Sequence, residues 1–441
     1  MAFGLQHLLN HWASVASITR TKLTLGRGLL PAGQLGQQGH RAVTDCRCGA
    51  RYRCVPVRLP FMRANYERFA AMRRFGALDG LRAISVMAVV WHHTSGTPGP
   101  QVSKMGYLGV DFFFAISGFL ITTLLVREWD ASARVSLRKF YVRRALRIFP
   151  LYYTTLLLYI LLAAATQRGT PETAQFFHNL PAFATYTSNW FVDLHQGNAV
   201  TFYFAWSLAT EEQFYLLWPP LLVLTLVICG RKPRIWPALG VLATLIAISQ
   251  GVRLFADASE LPWRIPASLS LPILLGAAAA IIVNDRRSFN AASSVIGRRW
   301  SAPIAATLLI IAIAVNMPNQ ITQILMVGVV VSICLVERTP LHPVLRWRPL
   351  VYVGVISYGI YLLHMLSANV DRKIIHQHFG LLLFAATLIT VIAVASLSFR
   401  YFETPLLRLK RHYESRAEFD GDEISRVGAL SPSARRRAEG G

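Results

Sequence analysis

The chain has 441 residues, of which 54% are hydrophobic and only 15% charged, with a formal net charge of +23. Soluble domains carry about a quarter charged residues, so this composition excludes an ordinary soluble fold and points to membrane spans. The positive balance does not indicate nucleic acid. Its Lys and Arg residues sit in short segments between apolar runs, which is a topology signal and not a basic stripe on a soluble surface.

Residues 1–75 read as a basic N-terminal extension, either disordered or lying upstream of a true start at Met62 or Met72. Arg20, Lys22 and Arg27 interrupt its apolar positions, so no signal-peptide core forms. An organelle transit peptide has the same acid-poor, Arg-rich character, but the plainer extension is preferred. Cys46, Cys48 and Cys54 lack the paired spacing of a zinc site, and no metal is expected. Cys229 and Cys334 end apolar runs on the side read as cytosolic, where thiols stay reduced.

Ten apolar runs follow at span length, roughly 77–95, 107–126, 148–166, 204–229, 236–255, 266–284, 302–317, 320–336, 351–370 and 380–400. The stretch 174–192 is less apolar, holds Pro181, and reads as re-entrant or interfacial. Charge tests the count. From a cytosolic N-terminus, the inner segments hold Arg63, Arg68, Arg73 and Arg74, then seven basic residues from Arg127 to Arg147. Further along they hold Arg231, Lys232 and Arg234, then Arg286, Arg287, Arg298 and Arg299, then Arg338, Arg346 and Arg348. The outer segments hold only Lys104, Arg168, Arg264, Arg372 and Lys373. Positive charge favours the cytosolic side of short loops, so the expected fold is an all-α, polytopic membrane protein with about ten spans and both termini cytosolic. The tail 406–441 is charged and expected to be disordered. No internal repeat of the transporter kind is visible.

Within the first run, LDGLRAISVMAVVWHH, Arg82 and His93 lie eleven residues apart. That is about three helical turns, so both share one face about 16 Å apart along the axis. Ionisable groups at such depth face a partner, a water-filled cavity or a substrate path. By depth, His93, Asp111, Ser117, Glu211, Glu212 and His364 all fall in the outer half of the membrane, where they could meet around one cavity. Neighbouring helical residues point about 100° apart, so one of Glu211 and Glu212 should face it. Asp79, three residues before Arg82, is expected to neutralise it. At the opposite, inner end, FYVRRALRIFP brings Arg143, Arg144 and Arg147 together at a helix start, a cluster suited to phosphate or to topology anchoring. Tyr361 and His364 share a face at i, i+3 spacing.

These segments resemble acyltransferase family 3, bacterial membrane O-acyltransferases that modify surface carbohydrates and some secondary metabolites. LDGLRAISVMAVVWHH is similar to the family's opening motif, an arginine followed after ten residues by a histidine; Arg82 and His93 fit it and His92 does not. GYLGVDFFFAISGFLIT, FYVRRALRIFPLYY, WSLATEEQFYLLWP, SYGIYLLH and YFETP resemble its later segments in order. The resemblance covers residues 76–405 and the stand-alone form of the family. It implies transfer of an acyl group, usually acetyl, from cytosolic acyl-CoA to a hydroxyl of an envelope carbohydrate or glycolipid, at the inner (plasma) membrane. The acyl-CoA is a co-substrate, and no bound cofactor is implied. On that footing His93 is the expected general base, with Glu211 or Glu212 orienting it. Tyr361 or a protonated His364 would steady the oxyanion. Arg82, Arg143, Arg144 and Arg147 would hold the CoA phosphates, with Asp111 and Ser117 also lining the site. A covalent acyl-histidine stays open as a competing route. The alternative from another class is a carrier or flippase for lipid-linked sugars, which uses buried Arg, His and Glu equally well.

Overall fold

Each of the ten apolar runs folds as helix, and every regular element among the described residues is helical. The computed structural model describes residues 65–410 except 73, 97–103, 167, 194–199, 230–234, 258–259 and 337. All of these belong to one unit, Leu59–Gly441. Cys46, Cys48, Cys54, Arg231, Lys232, Arg234, most of the N-terminal extension and the tail beyond 410 lie outside the described residues.

In chain order the helices are α1 (Tyr66–Ala71), α2 (Gly76–Thr94), α3 (Leu108–Ser132), α4 (Leu137–Thr166), α5 (Pro171–Ala184) and α6 (Ser188–Phe191). Next come α7 (Ala205–Cys229), α8 (Ile235–Phe255), α9 (Leu261–Ala267), α10 (Leu271–Asn284), α11 (Arg286–Ile296) and α12 (Ser301–Ala314). The last are α13 (Asn319–Leu335), α14 (His342–Leu345), α15 (Arg348–Val355), α16 (Ser357–Ile375), α17 (Leu381–Ser398) and α18 (Thr404–Lys410). A π-helical turn at Phe399–Glu403 joins α17 to α18.

Among the described residues, six stretches are long and apolar enough to cross a bilayer: α3, α4, α7, α8, α9 with α10, and α17 through Leu409. Two more qualify if each bent pair is one span, α11–α12 bent by 66° and α15–α16 by 75°. The remaining two expected spans are α2, which carries Asp79, Arg82 and two histidines, and α13, which at 17 residues is short. The protein is an all-α polytopic membrane protein.

Two features add detail to the sequence expectation. Helix α4 begins at Leu137, well before the apolar run at about 148, because the arginine-rich stretch continues the helix and buries Arg143 in the bundle. The stretch 174–192 forms α5 and α6, both too short to span. Thr170 caps α5 and Pro171 opens it, a favoured pairing at a helix start. Tyr152 and Tyr153 of α4 then donate to the carbonyls of Phe183 (2.7 Å) and Ala184 (3.0 Å), and Gln213 of α7 donates to Tyr186 (2.8 Å). The segment is therefore built into the bundle.

Helix α2 lies among its neighbours, packed on α3, α15, α16 and α17. The crossing of α3 with α10 is close enough that a side chain at Gly118 would strike the Ile273 carbonyl, and one at Gly276 the Ala115 carbonyl. Small residues at reciprocal positions let two backbones touch, which is how membrane helices gain packing without a hydrophobic drive between them.

Candidate active site

His93 is the penultimate residue of α2 and is 6% exposed. A helix end leaves its last carbonyls without intrahelical donors. Here the corner between α16 and α17 supplies them: Arg372 Nη2 donates to the His93 carbonyl at 2.6 Å, and the Gly380 N–H to that of Thr94 at 2.9 Å. A cation at a helix C-terminus also complements the macrodipole. Arg372 is itself held by Asn369 Oδ1 at 2.8 Å and the His378 carbonyl at 3.2 Å. The backbone bearing His93 is thus fixed from outside its own helix.

The His93 ring lies beside the fully buried His364, centroids 5.1 Å apart and planes tilted by 33°. His364 Nδ1 is 2.5 Å from the Tyr361 carbonyl. A carbonyl can only accept, so Nδ1 carries the proton and Nε2 is the bare nitrogen. That Nε2 is buried with no hydrogen-bond partner among the described residues. In this tautomer His364 offers an acceptor to the site; donation to an oxyanion would need the doubly protonated ring. The Tyr361 hydroxyl is engaged as well, donating to the Phe204 carbonyl at 3.0 Å and touching Ser207 Oγ. Tyr203, in the turn before α7, places its hydroxyl 3.1 Å from His93 Nδ1 and 3.2 Å from Nε2. Burial pushes the Tyr203 phenol well up, so it stays protonated and able to donate.

From this pair a polar column descends one face of α7. Ser207, Glu211 and Tyr215 recur at i, i+4 and i+8, about 12 Å along the axis. Ser207 meets Tyr361 at the top. One oxygen of Glu211 accepts from both Ser117 of α3 and Tyr215 below it. The Arg144 guanidinium stacks on the Tyr215 ring at 4.6 Å. Two prolines set this register. Pro220 has no N–H to give to the Leu216 carbonyl, and Tyr141 of α4 supplies the donor instead at 3.0 Å. That bond pins the start of α4, and hence Arg144, against α7.

Beneath the column are three guanidinium groups with a common property. Among the described residues, Arg82, Arg144 and Arg147 make no hydrogen bond or ion pair to protein; Arg82 only approaches the Phe113 ring at 6.0 Å, and Arg144 the rings of Phe140 and Tyr215. The charges of Arg82 and Arg144 bear on Arg147, opposed by those of Asp79 and Glu403. Three like charges held together with donors unspent form a site for a multiply charged anion.

The remaining expected residues are dispersed. Arg143 pairs with Glu128 at 3.8 Å, to one side of the trio. Asp111 accepts from Gln323 of α13 at 3.0 Å and lies in the field of Arg253, on a different side of α3 from Ser117. Six residues along a helix turn the direction by about 240°, which accounts for the separation. Asp79 bonds Arg74 at 2.8 Å, where the spacing suggested Arg82. Glu211, not Glu212, joins the column; Glu212 shares its surroundings with Arg144, Tyr153, Tyr186 and Tyr358. The carboxylates and arginines, placed at opposite depths by the sequence reading, are joined through Tyr215. Four participants were not anticipated: Tyr203, Ser207, Tyr215 and Arg372. Only Ser207 and Tyr215 had a signal, their four-residue spacing from Glu211.

The chain belongs to the acyltransferase family: the family's acyltransferase domain matches residues 75–400. Among relatives it is 28% identical over 369 residues to the peptidoglycan O-acetyltransferase OatA of Listeria monocytogenes, covering 75% of this chain and 55% of that protein. It is likewise 28% identical over 365 residues to YrhL of Bacillus subtilis, provisionally named a peptidoglycan O-acetyltransferase, covering 77% and 56%. A Staphylococcus aureus protein provisionally named an O-acetyltransferase is 26% identical over 363 residues, covering 77% and 58%. The chain thus spans little more than half the length of these relatives. No solved structure matches it.

Proposed function

We propose that the protein is a plasma-membrane O-acyltransferase that moves an acyl group, acetyl in the first instance, from cytosolic acyl-CoA to a hydroxyl of a cell-envelope carbohydrate. The observation that carries this reading is the trio of unspent guanidiniums, Arg82, Arg144 and Arg147, joined by the α7 column to a buried histidine pair. The trio suits the phosphates of CoA, and the column leads its pantetheine arm toward His93. The carbohydrate class is carried over from the relatives' names and from the envelope-facing end of the site.

In the proposed step, neutral His93 takes the proton from the acceptor hydroxyl as its oxygen attacks the thioester carbonyl carbon. The C–S bond breaks, its electron pair stays on sulfur, and the proton passes from His93 to the thiolate, releasing free CoA thiol and an ester. Glu211 keeps the column polar through Ser117 and Tyr215 rather than by a drawn contact to the base. The experiment is direct. Protein reconstituted in vesicles receives acetyl-CoA and oligosaccharide acceptors, and thiol release is measured together with acetylated product. Acceptor-dependent thiol release is the expected result. Movement of lipid-linked sugar across the bilayer without any thiol would make the protein a carrier instead.

A further inference from the structure

The tyrosines around Glu212 spend their hydroxyls unequally. The charge of Glu212 bears on Tyr153, Tyr186 and Tyr358, and Tyr152 stacks on Tyr186 with ring centroids 4.3 Å apart. Tyr152 and Tyr153 donate to the Phe183 and Ala184 carbonyls, and Tyr358 donates to the Ile148 carbonyl at 2.8 Å. The Tyr186 hydroxyl is buried and has no hydrogen-bond partner among the described residues. Glu212 likewise makes no hydrogen bond or ion pair among them. Polar groups left unpaired inside a membrane protein are costly, and here one donor and one acceptor are left unspent in a single neighbourhood. The backbone keeps Tyr186 in place. It holds φ +54° in the turn between α5 and α6, a left-handed conformation that a bulky residue keeps only when its surroundings over-determine it. Its carbonyl accepts from Gln213, the residue next to Glu212, at 2.8 Å, so one bond ties the two groups to one level of α7.

That level lies between the two ends of the site. Glu212 is three residues from Tyr215, where Arg144 stacks, and five from Ser207, which meets Tyr361 beside the histidine pair. Along the axis these steps are about 4.5 Å and about 7.5 Å. Arg144 and Tyr153 both belong to α4, so Glu212 faces that helix, whereas the principal packing neighbours of α7 are α3, α6 and α8. An acyl-CoA with its phosphates at Arg144 must carry its pantetheine arm past this level to bring the thioester to His93. The arm has two secondary amides, each with an N–H to donate and a carbonyl to accept. We propose that Glu212 and Tyr186 are a station for the arm's amides, the carboxylate accepting an N–H and the phenol donating to a carbonyl. Ser207, Glu211 and Tyr215, by contrast, are bonded within the protein and frame the path without gripping what moves along it. The inference rests on the acyl-transfer reading above and assigns residues to the middle of its donor.

Pantetheine is the arm without any phosphate, so its binding separates this contact from the arginines. Used as a competitor of acetyl-CoA, with acetylated product as the readout, it should inhibit wild-type protein. Its inhibition constant should rise about two- to tenfold in Tyr186→Phe, the worth of one neutral hydrogen bond. In Glu212→Gln, where a charged acceptor is lost, it should rise about tenfold or more. Pantetheine methylated at its amide nitrogens has no N–H to give; it should compete about tenfold less well than pantetheine against wild type, and about equally well against Glu212→Gln. The KM for the carbohydrate acceptor should hold in both variants. Tyr186→Phe should also keep or raise the melting temperature in detergent, because it removes an unpartnered buried hydroxyl. Pantetheine that does not compete in wild type, inhibition constants unchanged in both variants, or a change confined to the acceptor KM would overturn the station alone. Equal sensitivity of wild type and Glu212→Gln to methylation would overturn it as well. Wild-type protein that neither binds acetyl-CoA nor releases thiol with any acceptor would remove the acyl-transfer reading, and the station with it.

Discussion

Arg127 and Arg147 come from the same basic stretch of sequence and meet opposite fates. Arg127 donates to the carbonyls of Met72 (2.5 Å) and Phe69 (2.9 Å) and to Asn284 Oδ1 (3.2 Å), and its guanidinium stacks 4.9 Å from the Phe69 ring. It closes the C-terminus of α1, and its bonding capacity is largely used by the fold. Arg147, with Arg82 and Arg144, makes no such bond among the described residues and is crowded by like charge. An arginine with filled donors serves the structure. One that is desolvated, repelled and unpaired is held there at a cost in stability, which points to a ligand that relieves it.

The comparison yields predictions of decreasing size. The largest effect belongs to neither arginine set: His93→Ala should lower kcat by about 10²–10⁴-fold with acyl-CoA affinity retained, since loss of a general base acts on rate. Wild-type turnover in that variant, with normal folding, would remove His93 from the reaction. Arg127→Ala should cost on the order of 3 kcal/mol, because charge-assisted bonds are lost and helix-end carbonyls are left bare. It should lower the melting temperature in detergent and leave the KM for acyl-CoA of the folded fraction unchanged. Arg147→Ala should do the reverse, raising that KM about tenfold or more while the melting temperature holds or rises as repulsion is relieved. If both variants shift the same quantity, the distinction between filled and unfilled donors has no functional content. The smallest effect is expected at Glu403, whose charge opposes Arg147. Glu403→Gln should tighten acyl-CoA binding by about two- to threefold, measured by equilibrium binding at low salt, and the gain should fade as salt screens the charges.

Much of the fold was legible because apolar length is nearly sufficient to specify a membrane helix. Arg82 and His93 could be placed on one helix, and the arginine cluster at the head of α4, from spacing alone. The bends of α11–α12 and α15–α16 were not legible: α11 falls in a basic segment read as a connection before the run 302–317, and the run 351–370 continues unbroken across the junction of α15 and α16. The partners of each charge were also hidden. The spacing of Asp79 points to Arg82, three positions on, but Arg74 lies before the start of the helix, where no periodicity applies, and the folded chain pairs Asp79 with it instead. Tyr203 lies in a turn with no periodicity, so nothing in its neighbourhood announces that it reaches a histidine 110 residues earlier.

The proline pair in α7 has a further consequence. Membrane helices tilt to match the thickness of their host bilayer, and partners packed only by shape can slip along each other as they do so. Here the carbonyl that Pro220 leaves open is claimed by Tyr141, a directional link that resists slipping in a medium without water to replace it. Changes in lipid composition can therefore lean α4 and α7 together while the guanidinium of Arg144 keeps its level against Tyr215, so the vertical alignment of the site is buffered against the membrane that surrounds it.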